Sequence, residues 1–273
     1  MKILLCWFSA TGNTVAIAEA IGRRLSELGA EVDPLDITHT SNRERHLDLT
    51  AYAAAVFGAP IHSARAPRLV REWWETLDGQ GKKCASFFTY GGFYVHPSHH
   101  TAREILSRRN FKLVASADFL GAHTYNLGGW QAMEGRPDAS DFSAAAEFAE
   151  KIFGRFNGKD PAVVAELDTG LFTETELDNM EKVRYKAVTK LPTRDGAECQ
   201  LCLLCEKQCP VGAMDAQTGE ADPNLCIVCL RCFKNCPDQA LKINDLAPFF
   251  RLKMEKDGET AATLQSKKSK LYL

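Results

Sequence analysis

The sequence lacks any long hydrophobic run, although 45% of its 273 residues are hydrophobic. No apolar stretch approaches the roughly 18 residues that a membrane-spanning helix needs. The opening MKILLCWFS is apolar only briefly and leads into a glycine-containing loop without a small-residue cleavage site, which favours a strand over a signal peptide. We therefore expect a cytoplasmic protein without a membrane span, whose thiols are reduced.

The sequence also lacks an excess of charge of either sign. Its 33 lysine and arginine residues against 35 aspartate and glutamate residues give a formal net charge of −2. No basic excess favours nucleic acid as a partner, and no strong acidity indicates a disordered chain. The length and the ordinary globular composition allow one full α/β domain and a smaller second domain.

Apolar patterns in residues 1–156 predict alternating strands and helices. The predicted strands are 2–8, 32–37, 53–59, 83–89 and 112–120, and the predicted helices are 13–28, 67–77, 98–109 and 141–156. This alternation indicates an α/β domain with a doubly wound, five-stranded parallel sheet. Trp73 and Trp74 lie at helical spacing with Val70 and Leu77, which is typical of packing and not of chemistry.

The alternation ends at the sequence Asn-Gly-Lys-Asp-Pro in 157–161, where we expect the domain boundary. We expect 157–190 to link the domains through a helix at 173–188, begun by a capping box of Thr173 and Glu176. Its apolar residues would share one face: Leu177, Met180, Val183 and Val188. A cysteine-rich domain then occupies 191–250, and the polar tail 251–273 is interpreted as a solvated extension.

The chain has ten cysteines, and eight of them fall between Cys199 and Cys236. They form an internal repeat with an offset of 27, CQLCLLCEKQCP and CIVCLRCFKNCP. Cys6 and Cys84 lie outside it in apolar runs, where a buried thiol behaves as a small hydrophobic residue. The clustering of the other eight predicts a chemical role.

A Cys-x-x-Cys-x-x-Cys run wraps one tight loop, so that three thiolates converge on three irons of a 4Fe-4S cluster while the fourth comes from elsewhere. Zinc and disulfides are the alternatives. Zinc usually takes two Cys-x-x-Cys pairs per ion, and disulfides need an oxidising compartment for which the sequence has no signal. Two 4Fe-4S clusters are therefore the favoured interpretation.

This segment closely resembles the bacterial two-cluster ferredoxins, in which the fourth cysteine of each run ligates the other cluster. The resemblance implies a small α+β domain that holds two clusters. The implied ligands of one cluster are Cys199, Cys202, Cys205 and Cys236, and those of the other are Cys226, Cys229, Cys232 and Cys209. Pro210 and Pro237 follow the crossing cysteines, as in that family.

A hydroxyl-rich loop lies between the first predicted strand and the first predicted helix, where backbone N–H groups and the positive helix end form an anion site. It consists of Ser9, Ala10, Thr11, Gly12, Asn13 and Thr14. It contains neither the Gly-Lys-Ser/Thr of a Walker loop nor a Gly-x-Gly-x-x-Gly, so it suits a flavin monophosphate better than a triphosphate or a dinucleotide. Taken alone, such a turn is equally well a helix cap.

The loop matches the Ser/Thr-x-Thr-Gly-x-Thr of the flavodoxins, and residues 1–156 resemble that family. The resemblance implies that FMN binds there and that the loops after strands three and four hold its ring. The implied contacts are Ala59, Pro60, Ile61 and His62 in one loop, and Thr89, Tyr90, Gly91, Gly92, Phe93 and Tyr94 in the other. Phe93 or Tyr94 could stack on one ring face and Ile61 or His62 could cover the other. The first loop departs from the family in lacking its usual tryptophan, which leaves the cover of that ring face open.

Five histidines are candidates for moving protons near a flavin, because histidine titrates close to neutral pH. They are His62, His96, His99, His100 and His123. Simple surface polarity explains them equally well.

The whole chain resembles flavodoxin–ferredoxin fusion proteins of anaerobic bacteria and archaea. The resemblance implies an electron-transfer iron–sulfur flavoprotein that passes electrons between two 4Fe-4S clusters and FMN, with redox proteins as partners. Segment 195–245, with 8 acidic and 4 basic residues, could offer such a partner an acidic face.

The alternative is an FMN-dependent reductase of a small organic acceptor, favoured by the extra segment 121–137 with His123, Tyr125 and Trp130. A redox-sensing or scaffold module is a third hypothesis.

Overall fold

The computed structural model describes residues 1–164, 167 and 172–273, and in 183–187 the backbone alone. The strands are β1 Lys2–Trp7, β2 Glu31–Asp36, β3 Ala54–Pro60, β4 Lys83–Tyr90, β5 Lys112–Leu120, β6 Met214–Asp215, β7 Glu220–Ala221 and β8 Lys270–Tyr272. The helices are α1 Asn13–Glu27, α2 Thr40–Arg43, α3 Arg68–Glu75, α4 His96–Arg108, α5 Ala139–Phe156, α6 Glu174–Val188, α7 Leu204–Lys207, α8 Arg231–Lys234, α9 Ala247–Asp257 and α10 Ala261–Gln265. Within these ranges, every helix is too short or too polar to cross a bilayer.

The main sheet has the strand order β2-β1-β3-β4-β5-β8. Its first five strands are parallel, and the order 2-1-3-4-5 is that of the flavodoxin-like doubly wound fold. The five strands predicted from the sequence are confirmed, with ends that differ by a residue or so. The sixth strand, β8, is antiparallel and was not predicted.

Helices cover both faces of the sheet, as their apolar spacing predicted. On one face α1 and α5 bury Ile17, Ile21 and Phe148 against the strands. On the other face α3 and α4 pack onto the sheet, where Trp73 and Trp74 are buried. The predicted packing role of the two tryptophans is confirmed.

Cys6 and Cys84 are also confirmed as buried core residues. Each lies in a strand of the main sheet, in the apolar layer beneath α3 and α4.

The linking helix begins with the predicted capping box, because the Thr173 N–H donates to Glu176 Oε2 at 2.7 Å and the Glu176 N–H donates to Thr173 Oγ1 at 3.3 Å. Leu177 is buried, whereas the side chain of Val183, predicted to share its face, lies outside the described residues. On the same face of the helix the carboxylates of Glu174, Asp178 and Glu181 all contact Arg65, which is 0% exposed. These ion pairs hold α6 against the first 156 residues.

The cysteine-rich region is small, and its two repeats fold alike. The helices α7 and α8 occupy equivalent positions 27 residues apart, and β6 and β7 form a short hairpin between the repeats. A bridge between Thr193 and Lys242 closes the region at its base. Cys229 packs against the core of the main sheet, so the region is seated directly on the larger domain.

The prediction that 251–273 is a solvated extension was wrong. The α10 residue Leu264 is 1% exposed and packs near Met133, and β8 pairs with β5 through Ser116–Asp118. The physical reason is that β5 would otherwise be a sheet edge with unpaired backbone groups, which β8 satisfies.

The contact of β8 with a buried carboxylate yields a prediction about stability. The Tyr272 hydroxyl donates to Asp118 Oδ2 at 2.9 Å, Asp118 is 0% exposed, and its Oδ1 has no hydrogen-bond partner among the described residues. Tyr272→Phe should therefore lower the free energy of unfolding by about 1–3 kcal/mol, measured by urea denaturation. Tyr52→Phe is the matched control, because its partner Asp33 is 43% exposed in its side chain and can be rehydrated. Equal losses in the two variants would contradict the prediction.

Candidate functional site

The loop at residues 9–14 connects β1 to α1 and is held in a defined shape. The Ser9 hydroxyl accepts a hydrogen bond from the Val15 N–H at 3.2 Å, and the Thr14 hydroxyl lies 2.7 Å from that of Thr89. Gly12 has a φ of 111°, a left-handed conformation that a side chain would strain. Contacts to α1 and to β4 thus hold the loop in place.

The same loop presents open donors at the start of α1. Among the described residues, no acceptor is present for the backbone N–H groups of residues 10–14. The first turn of α1 carries no acidic side chain that would compete with an anion. Open N–H groups at a positive helix end are the features of a phosphate site.

A cavity of about 430 Å³ joins this loop to the loops after β3 and β4. Thirteen of the sixteen residues predicted to hold a flavin line it: Ser9, Ala10, Thr11, Asn13, Thr14, Pro60, Ile61, His62, Thr89, Tyr90, Gly91, Phe93 and Tyr94. The other three are not part of its lining. Ala59 is buried in the core, Gly12 approaches Lys234, and a Cβ on Gly92 would strike Met133 and Leu264.

Aromatic side chains that the sequence did not assign to the flavin contacts complete the cavity wall. His123, Tyr125 and Trp130 come from the segment after β5, and the rings of His123 and Trp130 stack at 4.6 Å with an interplanar angle of 27°. Phe93 meets the Trp130 ring edge-on at 5.7 Å. Trp130 thus supplies, from a different loop, a tryptophan that the first ring loop lacks.

The helix α9 closes another side of the cavity with Phe249, Leu252 and Lys253. The Lys253 ammonium lies 4.6 Å from the centre of the Phe93 ring and 4.9 Å from that of Tyr94. The run Phe249, Phe250, Leu252 and Met254 was the sequence signal for a packed helix in this region.

Two of the five candidate histidines line the cavity, and burial keeps both of them neutral. It lowers the pKa of His62 to about 4 and that of His123 to about 3, with smaller contributions for His123 from His62 and Lys253. The Nδ1 of His123 accepts the Tyr125 N–H at 3.1 Å, so the ring is held in one orientation.

His99 lies instead in a buried polar network beneath the cavity. Its Nδ1 is 2.6 Å from the Ser116 hydroxyl and its Nε2 is 3.6 Å from Asp118 Oδ2. Tyr90 connects this network to the cavity, and burial together with the Asp118 charge raises the pKa of Tyr90. His96 and His100 lie on α4, outside the cavity lining.

The eight clustered cysteines line two small cavities, four in each. One is bordered by Cys199, Cys202, Cys205 and Cys236, and the other by Cys209, Cys226, Cys229 and Cys232. These are the two groups that the ferredoxin resemblance implies. Apolar side chains form the rest of each wall, including Leu201 and Leu241 in the first and Val211 and Leu230 in the second.

The backbone around both cavities follows the repeat closely. Leu201 and Leu203 have φ of 54° and 61°, and their equivalents Val228 and Leu230 have 50° and 57°. A left-handed conformation costs a non-glycine residue about 1–2 kcal/mol. Four such residues in two short loops are therefore typical of a functional site. Backbone N–H groups also approach four of the thiols, at 3.2–3.4 Å from Cys199, Cys209, Cys226 and Cys236.

The four thiols that line each cavity are a donor set that would fit a 4Fe-4S cluster. In the described ranges, no three Cys, His, Asp or Glu side chains converge on a single-ion site. A cubane instead spreads its four thiolates over the corners of a cage. Burial raises the pKa of Cys229 to about 12, and it also raises that of Cys232, so ligation would have to stabilise these thiolates.

The cavity lined by Cys209, Cys226, Cys229 and Cys232 adjoins the cavity of about 430 Å³ at the 9–14 loop. Ile227 lines both of them, and Val228 lines the larger one. From the next turn, Arg231 donates to the carbonyl oxygens of Ser9 and Ala10 at 3.0 and 3.1 Å. The cavity lined by Cys199, Cys202, Cys205 and Cys236 borders solvent, because Cys202 and Leu201 are exposed. It is called the outer cavity below.

Comparison with known proteins gives similarities to solved structures. No protein-family model and no curated protein matches the chain. A flavodoxin from the domain Archaea is 19% identical, covers 57% of this chain and 99% of its own length, and has a TM-score of 0.45. Flavodoxin 2 of Bacillus cereus is 23% identical over 59% of this chain and 100% of its own, with a TM-score of 0.45. The rubredoxin oxygen:oxidoreductase of the anaerobe Desulfovibrio gigas is 17% identical over 58% of this chain and 36% of its own, with a TM-score of 0.44.

The two neutral histidines of the cavity predict an acid-dependent loss of stability. Their pKa values in the folded chain lie below the ordinary value of about 6.5, so below that pH the unfolded chain takes up protons that the folded chain does not. The free energy of unfolding should fall from pH 6.5 towards pH 4, by at most about 1.4 kcal/mol per pH unit for each ring, and less where water enters the cavity.

Urea denaturation of the His62→Gln and His123→Gln variants across this pH range tests the assignment. Each should show a shallower pH dependence than the parent chain, whereas His46→Gln, which changes an exposed histidine, should not. Identical slopes in all three variants would show that neither cavity ring is the source.

Proposed function

We propose that the chain is an electron-transfer iron–sulfur flavoprotein that passes electrons between two 4Fe-4S clusters and FMN. One observation carries the proposal: a four-cysteine cavity and a cavity with an open phosphate-type loop share Ile227 as a common wall. The cofactors would supply one-electron exchange at the clusters and one- or two-electron exchange at the flavin. In this proposal, residues 1–156 form the flavin domain and 191–250 the cluster domain.

The residues of the cavity have distinct tasks in binding FMN. The N–H groups of residues 10–14 and the Thr11 hydroxyl would hold the phosphate at the start of α1. Aromatic walls at Tyr94 and Trp130 would hold the ring and limit the entry of water. His62 and His123, neutral at pH 7, would place uncharged polar groups beside it.

The cluster loops have a holding and a shielding task. Two groups of four thiols would ligate the clusters, and apolar residues such as Leu203 and Leu230 would limit the access of water, which helps to set the reduction potential. Exposure of Cys202 and Leu201 supports the outer cavity as the side at which a redox protein docks, and the net acidity of segment 195–245 favours a basic partner.

The content of metal and flavin is the first test. Chain purified without oxygen should contain about eight irons, about eight sulfides and one FMN. Material with zinc in place of iron, or colourless material, would refute the proposal. Anaerobic reduction of the flavin should also change the cluster spectrum as electrons equilibrate, which a scaffold role for the clusters does not predict.

The two crossing cysteines give a matched pair of variants. Cys209→Ser and Cys236→Ser are equivalent changes in the repeat, and each should cost one cluster, or about four irons, with the other cluster retained. Cys84→Ala is the control, because Cys84 is buried in the main sheet and should not affect iron content. Loss of all iron in both variants, with a folded chain by circular dichroism, would contradict the assignment of two separate sets.

A second function, reduction of a small organic acceptor over the flavin, is favoured by the wall that α9 and Trp130 add to the cavity. A carrier that only exchanges electrons has no need of this cover. Steady anaerobic turnover of a quinone, a nitro compound or an enone would support the reductase hypothesis. If no compound of these three classes were reduced, the hypothesis would be rejected.

A further inference from the structure

Two cations of the cysteine-rich region reach the phosphate-type loop of the larger domain. Arg231 Nη1 donates to the carbonyl oxygens of Ser9 and Ala10, and Lys234 Nζ donates to that of Thr11. Lys234 Nζ also lies 3.7 Å from the place where a Cβ on Gly12 would stand. Both side chains belong to α8, which carries Cys232.

Residues 9–14 supply hydroxyl and amide groups but no cation of their own. A phosphate monoester carries about −1.5 to −2 charges at pH 7. Backbone N–H groups and the partial charge of α1, about half an elementary charge, leave much of that uncompensated. A guanidinium and an ammonium bound to the carbonyl oxygens of the loop would add positive potential at its N–H groups.

The two cations act on the peptide groups of the loop, because each is bound to a carbonyl oxygen of residues 9–11. A cation bound to a peptide oxygen polarises that peptide group and makes the linked N–H a stronger donor. The carbonyls of residues 9–11 belong to the same peptide groups as the N–H groups of residues 10–12, which lie in the open set. Arg231 Nε is in addition buried without a partner among the described residues, so one donor of the guanidinium is still unused.

The internal repeat shows that these contacts are specific to one of its halves. Arg231 is equivalent to Leu204, and Lys234 is equivalent to Lys207, at the offset of 27. Lys207 lies on α7 and is exposed. The two halves share their fold, but the contacts to the phosphate loop come from the second half.

We infer that Arg231 and Lys234, which lie outside the cavity lining, position and polarise the phosphate-type loop through its carbonyl oxygens, so that the cysteine-rich region supports the binding of the FMN phosphate. This inference rests on the proposed binding of FMN to the loop. Because Arg231 lies between Cys229 and Cys232, the position of its side chain depends on the folding of that cluster loop. Retention of FMN is therefore linked to assembly of the neighbouring cluster.

The test compares FMN with riboflavin, which has the same ring and no phosphate. Flavin is removed from the full-length, iron-loaded chain, and the dissociation constants of both compounds are measured by fluorescence quenching without oxygen. Arg231→Gln and Lys234→Gln should each raise the constant for FMN about tenfold and leave that for riboflavin unchanged. Arg231→Lys should recover most of the loss, and Lys207→Gln is the matched control without effect.

The outcomes separate the inference from the proposal beneath it. A parent chain that binds neither flavin refutes FMN binding itself. A parent chain that binds FMN while the Arg231 and Lys234 variants keep its FMN-to-riboflavin ratio refutes the inference alone. Should Arg231→Gln lose iron, Lys234→Gln decides the case, because it leaves the segment from Cys229 to Cys232 unchanged.

Discussion

The common direction of the five parallel strands is the constraint on which the rest of the molecule depends. Because β1, β3, β4 and β5 are parallel, the loops that follow them emerge at one edge of the sheet. The phosphate-type loop, the two ring loops and the segment with Trp130 therefore meet around one cavity. The cysteine-rich region and α9 pack onto the same edge, so each of them can add to the cavity wall.

The cysteine-rich region is under a different constraint, since it has few apolar residues whose burial could offset the conformational entropy lost on folding. Its strands β6 and β7 have two residues each, and its loops hold Leu203 and Leu230 in left-handed conformations. A region of this size usually needs a metal or another staple for stability. The left-handed residues lie in the loops that line the two four-cysteine cavities, and contact of the region with the main sheet adds support.

Features coded within a short stretch could be predicted, and features made by distant packing could not. The phosphate-type loop and the cysteine runs are local patterns, and the capping box at Thr173 depends on residues three apart. The contact of Arg231 with Ser9 spans 222 residues and has no local signature. The strand at Lys270–Tyr272 has three residues in a lysine-containing stretch, too short and too polar to signal a strand, although the β5 edge makes it one. Trp130 was noted as part of an extra segment, but its place beside the ring loops depends on how that segment folds back.

The return of the chain to the sheet at β8 means that the cysteine-rich region is attached to the larger domain by two tethers. It behaves as an insertion, with the main sheet both before and after it in the chain. After a proteolytic cut in 157–164, β8 would still pair with β5, so that the two fragments would be held together by non-covalent contacts alone. The cavity at the 9–14 loop and the four-cysteine cavities would then remain neighbours although the chain between them is cut.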